Sequence, residues 1–136
     1  MKVVLRWLDI AVYLAFAAVA VVAGPRLSSW YVGLGLAAVT TPFWFLARWQ
    51  LGAAFSVRAD ARQLVTWGMY SKFRHPVYVF GGAAWLGALL AFLGWGALAI
   101  GLIIALVEIR RSRREEQVLE ETFGAEYAAY RARTWF

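Results

Sequence analysis

The sequence predicts an all-α, polytopic membrane protein with about four transmembrane helices. Three observations predict it. Hydrophobic residues make up 62% of the chain and aromatics 17%, with mean hydropathy +0.61, whereas a soluble domain has about 45–50% apolar residues. The apolar residues gather into four runs, roughly 5–23, 30–49, 77–93 and 95–109. The basic residues cluster at alternate ends of those runs. At 136 residues the chain has room for one domain, with two N-terminal spans in 1–50 and the remainder in 51–136.

Crossing a bilayer takes about 20 apolar residues, with a lower limit near 17, and the first two runs reach that length. The first begins with Lys2 and Arg6 and has no Ala-x-Ala cleavage pattern, so it is expected to be a retained span and not a removed signal. Arg6 and Asp9 are spaced to pair on one helix face. In the second run, Gly33-Leu34-Gly35-Leu36-Ala37-Ala38 matches a dinucleotide fingerprint. That pattern requires a preceding strand and a soluble helix, so inside an apolar run it is a coincidence of small residues. Pro42 is expected to bend this span, with Thr40 or Thr41 available to the freed backbone groups.

The third and fourth runs are short and separated only by Gly94, which predicts a tight helical hairpin. Ala83, Gly87 and Ala91, and then Ala97, Gly101 and Ala105, form small-residue stripes that let helix backbones approach closely in lipid. Beyond the fourth run, Ser112-Arg113-Arg114-Glu115 fits a capping box, so a new helix or a bend is expected at Ser112. Val118, Leu119 and Phe123 would share an apolar side. Gly124 is a helix stop, and Tyr127 with Tyr130 suggests a last short amphipathic helix. Trp7, Trp30, Trp49 and Trp95 read as interfacial anchors.

Charge orients the whole. Lys2 and Arg6 precede the first run, and Arg48, Arg58, Arg62, Lys72 and Arg74 lie between the second and third. Arg110, Arg111, Arg113, Arg114, Arg131 and Arg133 follow the fourth. The first inter-span loop holds only Arg26. The positive-inside rule then puts both termini and the middle loop in the cytoplasm. These juxtamembrane arginines suit lipid headgroups, not nucleic acid.

The chain has no cysteine and one histidine, which excludes a thiolate nucleophile and any Cys-based or multi-His metal centre; no metal is expected. The histidine sits in Arg74-His75-Pro76-Val77-Tyr78. Proline disfavours helix in the residue before it and suits the first helical turn. His75 therefore falls at the mouth of the third span, with Tyr78 about one turn inside. Helix N-termini attract anions and Arg74 adds a fixed positive charge, so this corner suits a carboxylate, a phosphate or simple anchoring to headgroups. Glu115 and Glu116 point about 100° apart on a helix and need not do the same job.

Taken in order, Leu51-Gly52, Phe55-Ser56, Leu64-Val65-Thr66-x-Gly68-x-Tyr70, Arg74-His75-Pro76-x-Tyr78, Glu115-Glu116-x-x-Leu119, Phe123-Gly124-x-Glu126-Tyr127 and Tyr130 resemble the isoprenylcysteine carboxyl methyltransferase family, which is related to the phospholipid methyltransferases. The resemblance runs from Leu51 to the C-terminus. It implies an integral membrane enzyme using S-adenosylmethionine, with His75, Tyr78, Glu115 and Glu116 lining the cofactor pocket. Two positions depart from the family pattern. Phe80 stands where the family has glycine, followed by Gly81 and Gly82, and Gly68-Met69-Tyr70 stands for Gly-Pro-Tyr.

The function expected from this resemblance is methyl transfer to a lipophilic carboxylate, amine or thiol at the cytoplasmic interface. Arg74 or His75 could receive the cofactor carboxylate, and Glu115 or Glu116 its ammonium or ribose hydroxyls. His75 is also a candidate base, so Arg74 and His75 are the candidate catalytic pair. The partners expected are membrane lipids and the acceptor, with a second copy of the chain able to complete the pocket. Two other readings compete: an NADPH-dependent membrane reductase related to sterol reductases, and a non-enzymatic membrane module.

Overall fold

Apolar runs punctuated by glycine become helices joined by short turns. The computed structural model describes residues 2–52 and 64–135, with side chains from residue 7 onward. Phe55, Ser56, Arg58 and Arg62, and the side chains of Lys2 and Arg6, lie outside the described residues. The helices are α1 (Lys2–Ala23), α2 (Ser28–Leu51), α3 (Pro76–Leu93), α4 (Ala97–Phe123) and α5 (Ala125–Arg133), with 3₁₀ turns at Gly68–Ser71 and Gly94–Gly96. No strand occurs among the described residues.

The first four helices run up and down. At one end the α1–α2 and α3–α4 turns meet, where the Trp95 indole donates to Ser28 Oγ at 3.3 Å and Trp30 Nε1 donates to the Ala20 carbonyl at 3.0 Å. At the other end Asp9 of α1 holds Arg48 of α2 through two hydrogen bonds of 2.6 and 2.8 Å. Across the bundle a planar guanidinium thus binds a carboxylate with two parallel bonds, while the expected Arg6–Asp9 pair involves an Arg6 side chain that lies outside the described residues.

The closest helix crossing is also not the expected one. Gly87 of α3 packs on α2, where an added Cβ would meet Ala37 N at 2.6 Å and Gly33 O at 2.7 Å. Gly87 and Ala91 of the α3 stripe thus serve the α2 contact, while Ala83 lines the cavity towards α4. In the hairpin itself, Gly101 of α4 only receives the Leu86 side chain. The core continues through Tyr13, Trp44, Ala84 and Ala88, with the Tyr13 ring edge-on to Trp44 and Trp85.

Pro42 lies inside a continuous α2. The Thr40 and Thr41 hydroxyls bond back to the carbonyls of Leu36 and Ala37, and Thr41 also meets the Tyr13 hydroxyl at 2.6 Å. No helix starts at Ser112, which lies inside an unbroken α4 with its hydroxyl bonded to the Ile109 carbonyl. Capping competes with continuation, and here the i→i+4 ladder continues. Gly124, at φ 48°, does end α4.

Among the described residues two stretches, not the four expected, are long and apolar enough to cross a membrane by length and composition: Ser28–Leu51 and the hairpin-containing Pro76–Phe123. From Trp7, where side chains are described, α1 adds a further apolar helix, Trp7–Ala23. The outer surface carries Val22, Val39, Leu102 and Ile103, each more than 60% exposed. So large an apolar exterior marks a surface that meets lipid or another apolar partner. At 1.5 Å per residue the 27 residues of α4 reach about 40 Å, beyond a hydrocarbon core of about 30 Å. Its last turns can therefore carry charge in water.

Candidate functional site

The site forms where the start of α3 meets the polar end of α4. His75 caps α3 in a non-helical conformation, φ −128° and ψ 50°, with Pro76 as the first helical residue. Its carbonyl accepts the Tyr78 and Val79 amides, each at 3.1 Å. That leaves its ring free to turn towards α4, where His75 Nε2 meets Glu116 Oε1 at 3.0 Å. Arg74 approaches the same oxygen at 3.3 Å. All three side chains are mostly buried, between 13 and 20% exposed, so this contact is shielded from solvent screening.

The 100° between neighbouring helical residues sends Glu115 elsewhere. Its carboxylate bears on the phenols of Tyr78 and Tyr70. Tyr78 is held on its other sides as well: its ring stacks on His75 at 5.8 Å, and the Arg111 guanidinium lies 5.3 Å from its centroid. The five residues singled out from the sequence, Arg74, His75, Tyr78, Glu115 and Glu116, thus lie together at one end of the bundle.

The segment before His75 is fixed from both sides. Gly68 adopts φ 63° against the Gln50 side chain, whose Oε1 accepts the Met69 amide at 2.8 Å. From α5, the Tyr130 hydroxyl donates to the Tyr70 carbonyl at 2.7 Å, and beyond it the Trp135 amide donates to the Lys72 carbonyl. Burial pushes the Tyr130 phenol up to about 12, helped by neighbouring Tyr127 and opposed by Arg74. The Tyr70 and Tyr127 phenols are raised too, first by burial and then by Glu115 and Glu116 respectively.

Two cavities flank this arrangement. One, of about 490 Å³, lies between α3 and α4, polar around Arg74, His75 and Glu116 and apolar towards Leu86 and Gly101. The other, of about 720 Å³, lies between the α1–α2 pair and the hairpin, with Trp44 and Trp85 in its walls and Asp9, Arg48 and Arg111 among its charged residues. Tyr78, Gly82, Ile104 and Glu108 line both. At the polar end of the first cavity, Arg74 Nε is buried with no hydrogen-bond partner among the described residues. A buried donor of this kind is costly unless something accepts from it, so it suits a ligand bearing a carboxylate or hydroxyls.

Sequence reasoning left Gly82, Glu108 and the bond-forming role of Gln50 without a function. Glu108 carried a signal, since an acid within an apolar span is rare and tends to be functional. Gly82 could have been found by counting one turn onward from Tyr78.

Residues 27–126 match the family model for phospholipid methyltransferases. No curated protein and no solved structure matches the chain.

Proposed function

The chain belongs to the phospholipid methyltransferase family, and from that premise we propose that it transfers the methyl group of S-adenosylmethionine to a lipophilic acceptor at the cytoplasmic face of the membrane. In this reading α1 to α4 all cross the bilayer, and both termini and the site are cytoplasmic. The observation that carries the proposal is the meeting of Arg74, His75 and Glu116 on one wall of a cavity of about 490 Å³. That volume falls within the range of about 300–1,000 Å³ usual for small-molecule sites.

The donor set fits the cofactor. Arg74, with its unpaired Nε, would receive a carboxylate, and Glu116 an ammonium or hydroxyl hydrogens. Tyr78, lining the cavity, would form part of the wall that meets the sulfonium. When bound, the cofactor supplies an electrophilic methyl group, so the chain need supply no covalent intermediate. The work left to the residues is alignment, which alone can account for much of a rate enhancement. His75 and Arg111 against the Tyr78 ring, and Glu115 bearing on its phenol, fix that ring between the two cavities. The second cavity, apolar along Trp44 and Trp85 and charged at one end, suits an amphiphilic acceptor arriving from the bilayer. His75 lines the first cavity beside Glu116, where it could take a proton from an acceptor that must lose one.

The test is titration of purified protein with S-adenosylhomocysteine. Saturable binding is expected, weakened on the order of tenfold or more by His75→Ala and by Glu116→Gln. Folded protein that binds NADPH in its place would point to the reductase reading. Folded protein that binds neither would overturn the enzymatic one.

A further inference from the structure

Glu108 is the one acidic side chain on the wall shared by the two cavities. Its Oε2 is shut off from solvent and has no hydrogen-bond partner among the described residues. The other charged groups of the larger cavity are engaged. Asp9 and Arg48 hold each other, and Arg111 lies over the Tyr78 ring while also bearing on Glu108 from one turn away. An acceptor coming to Tyr78 from the apolar side must pass this carboxylate.

Resting on the methyl-transfer reading, we propose that Glu108 selects the acceptor: it admits amphiphiles whose polar end donates a hydrogen bond, as an amine, hydroxyl or thiol does, and turns away carboxylates. A buried carboxylate oxygen without a donor is costly, and a donating head group relieves that cost. A second carboxylate brought beside it would add repulsion in a medium of low dielectric, where like charges interact strongly. The class of acceptor is thereby narrowed from three chemistries to those with a transferable hydrogen.

The probes are a long-chain alkylamine and the alkanoate of the same length, titrated against purified protein without donor and followed by quenching of tryptophan fluorescence, since Trp44 and Trp85 line the cavity. The native chain should prefer the amine on the order of tenfold or more. Glu108→Gln should abolish that preference, and Glu108→Asp, which keeps the charge, should retain it. A preference for the alkanoate in the native chain, or an amine preference unchanged in Glu108→Gln, overturns the proposal. S-adenosylhomocysteine binding is measured on the same samples. If the native chain fails to bind it, the methyl-transfer reading fails, while the amine preference still decides the role of Glu108. If Glu108→Gln binds it normally, its lost preference cannot come from misfolding.

Discussion

Position 80 carries phenylalanine where the family motif has glycine, and the ring is held between Phe43 at 5.3 Å and Phe73 at 6.3 Å. Gly81 faces Trp44, so closely that an added Cβ would meet Nε1 at 2.8 Å. Only Gly82 leaves open space, with nothing within 4 Å of an added Cβ, and it lines both cavities. The small residue has therefore moved two positions along the helix, to one turn beyond Tyr78. Gly82→Leu should fold with unchanged thermal stability, because the new side chain meets no backbone at its root. It should nevertheless slow methyl transfer by on the order of 100-fold, the scale of a displacement of about 1 Å at a reacting centre. An assay with labelled methyl donor and membrane lipid extract measures this, and full activity would show that Gly82 does not face the reacting groups. Tyr130 makes a separate prediction. Its phenol is held neutral up to about 12, against 10.0 in an unfolded chain. Between those values the folded state keeps a proton that the unfolded state loses, so stability falls as pH rises through that window. Melting in detergent at increasing pH should show the decline, and Tyr130→Phe, at a cost of about 1 kcal/mol for the lost hydrogen bond, should lessen its steepness.

Helix existence was readable from hydrophobic runs and helix ends from glycine and proline, but the pairing of helices was not. The stripe of Ala83, Gly87 and Ala91 said that something approaches α3 closely, and it could not say whether the neighbour was α4 or α2. Gly33 held the answer, since its lack of a side chain is what lets α2 lie against Gly87. Gly87→Val should accordingly do more harm than a change of similar size in the hairpin. Its new atoms would press on the Ala37 amide and the Gly33 carbonyl, which cannot swing aside, and overpacking of this kind costs about 1–3 kcal/mol or more. Gly101→Ala meets only the end of the Leu86 side chain and should cost less. Thermal melts in the same detergent would rank the two, and the reverse order would show that α3 and α4 form the tighter contact. The capping box failed for a related reason. Ser112-x-x-Glu115 fits both a helix start and a helix interior, and the residues before it are already helical, so the ladder runs on. Ser112→Ala should change stability by less than about 0.5 kcal/mol, where loss of a true cap costs about 1.

At the scale of the whole molecule, the site exists because four chain segments deliver polar residues to one end of the bundle: Asp9 on α1, Arg48 on α2, His75 before α3, and Arg111 to Glu116 on α4. Up-and-down connectivity makes this automatic, since the start of an odd helix and the end of an even one fall on the same side. Basic residues at that end, against Arg26 in the opposite turn, are what set orientation in a bilayer. The chain's lack of cysteine makes the orientation directly measurable. Arg133→Cys at the end of α5 and Arg26→Cys in the α1–α2 turn each introduce one thiol, at exposed positions where substitution should be nearly neutral. In intact cells a membrane-impermeant maleimide should label Arg26→Cys and spare Arg133→Cys until the membrane is opened. Labelling of both thiols would mean that an even number of helices crosses between the two positions, so that α2, α3 and α4 do not all span the membrane. Labelling of Arg133→Cys alone would invert the bundle and place His75 and Glu116 on the face without cytoplasmic S-adenosylmethionine. The proposed reaction could not proceed there.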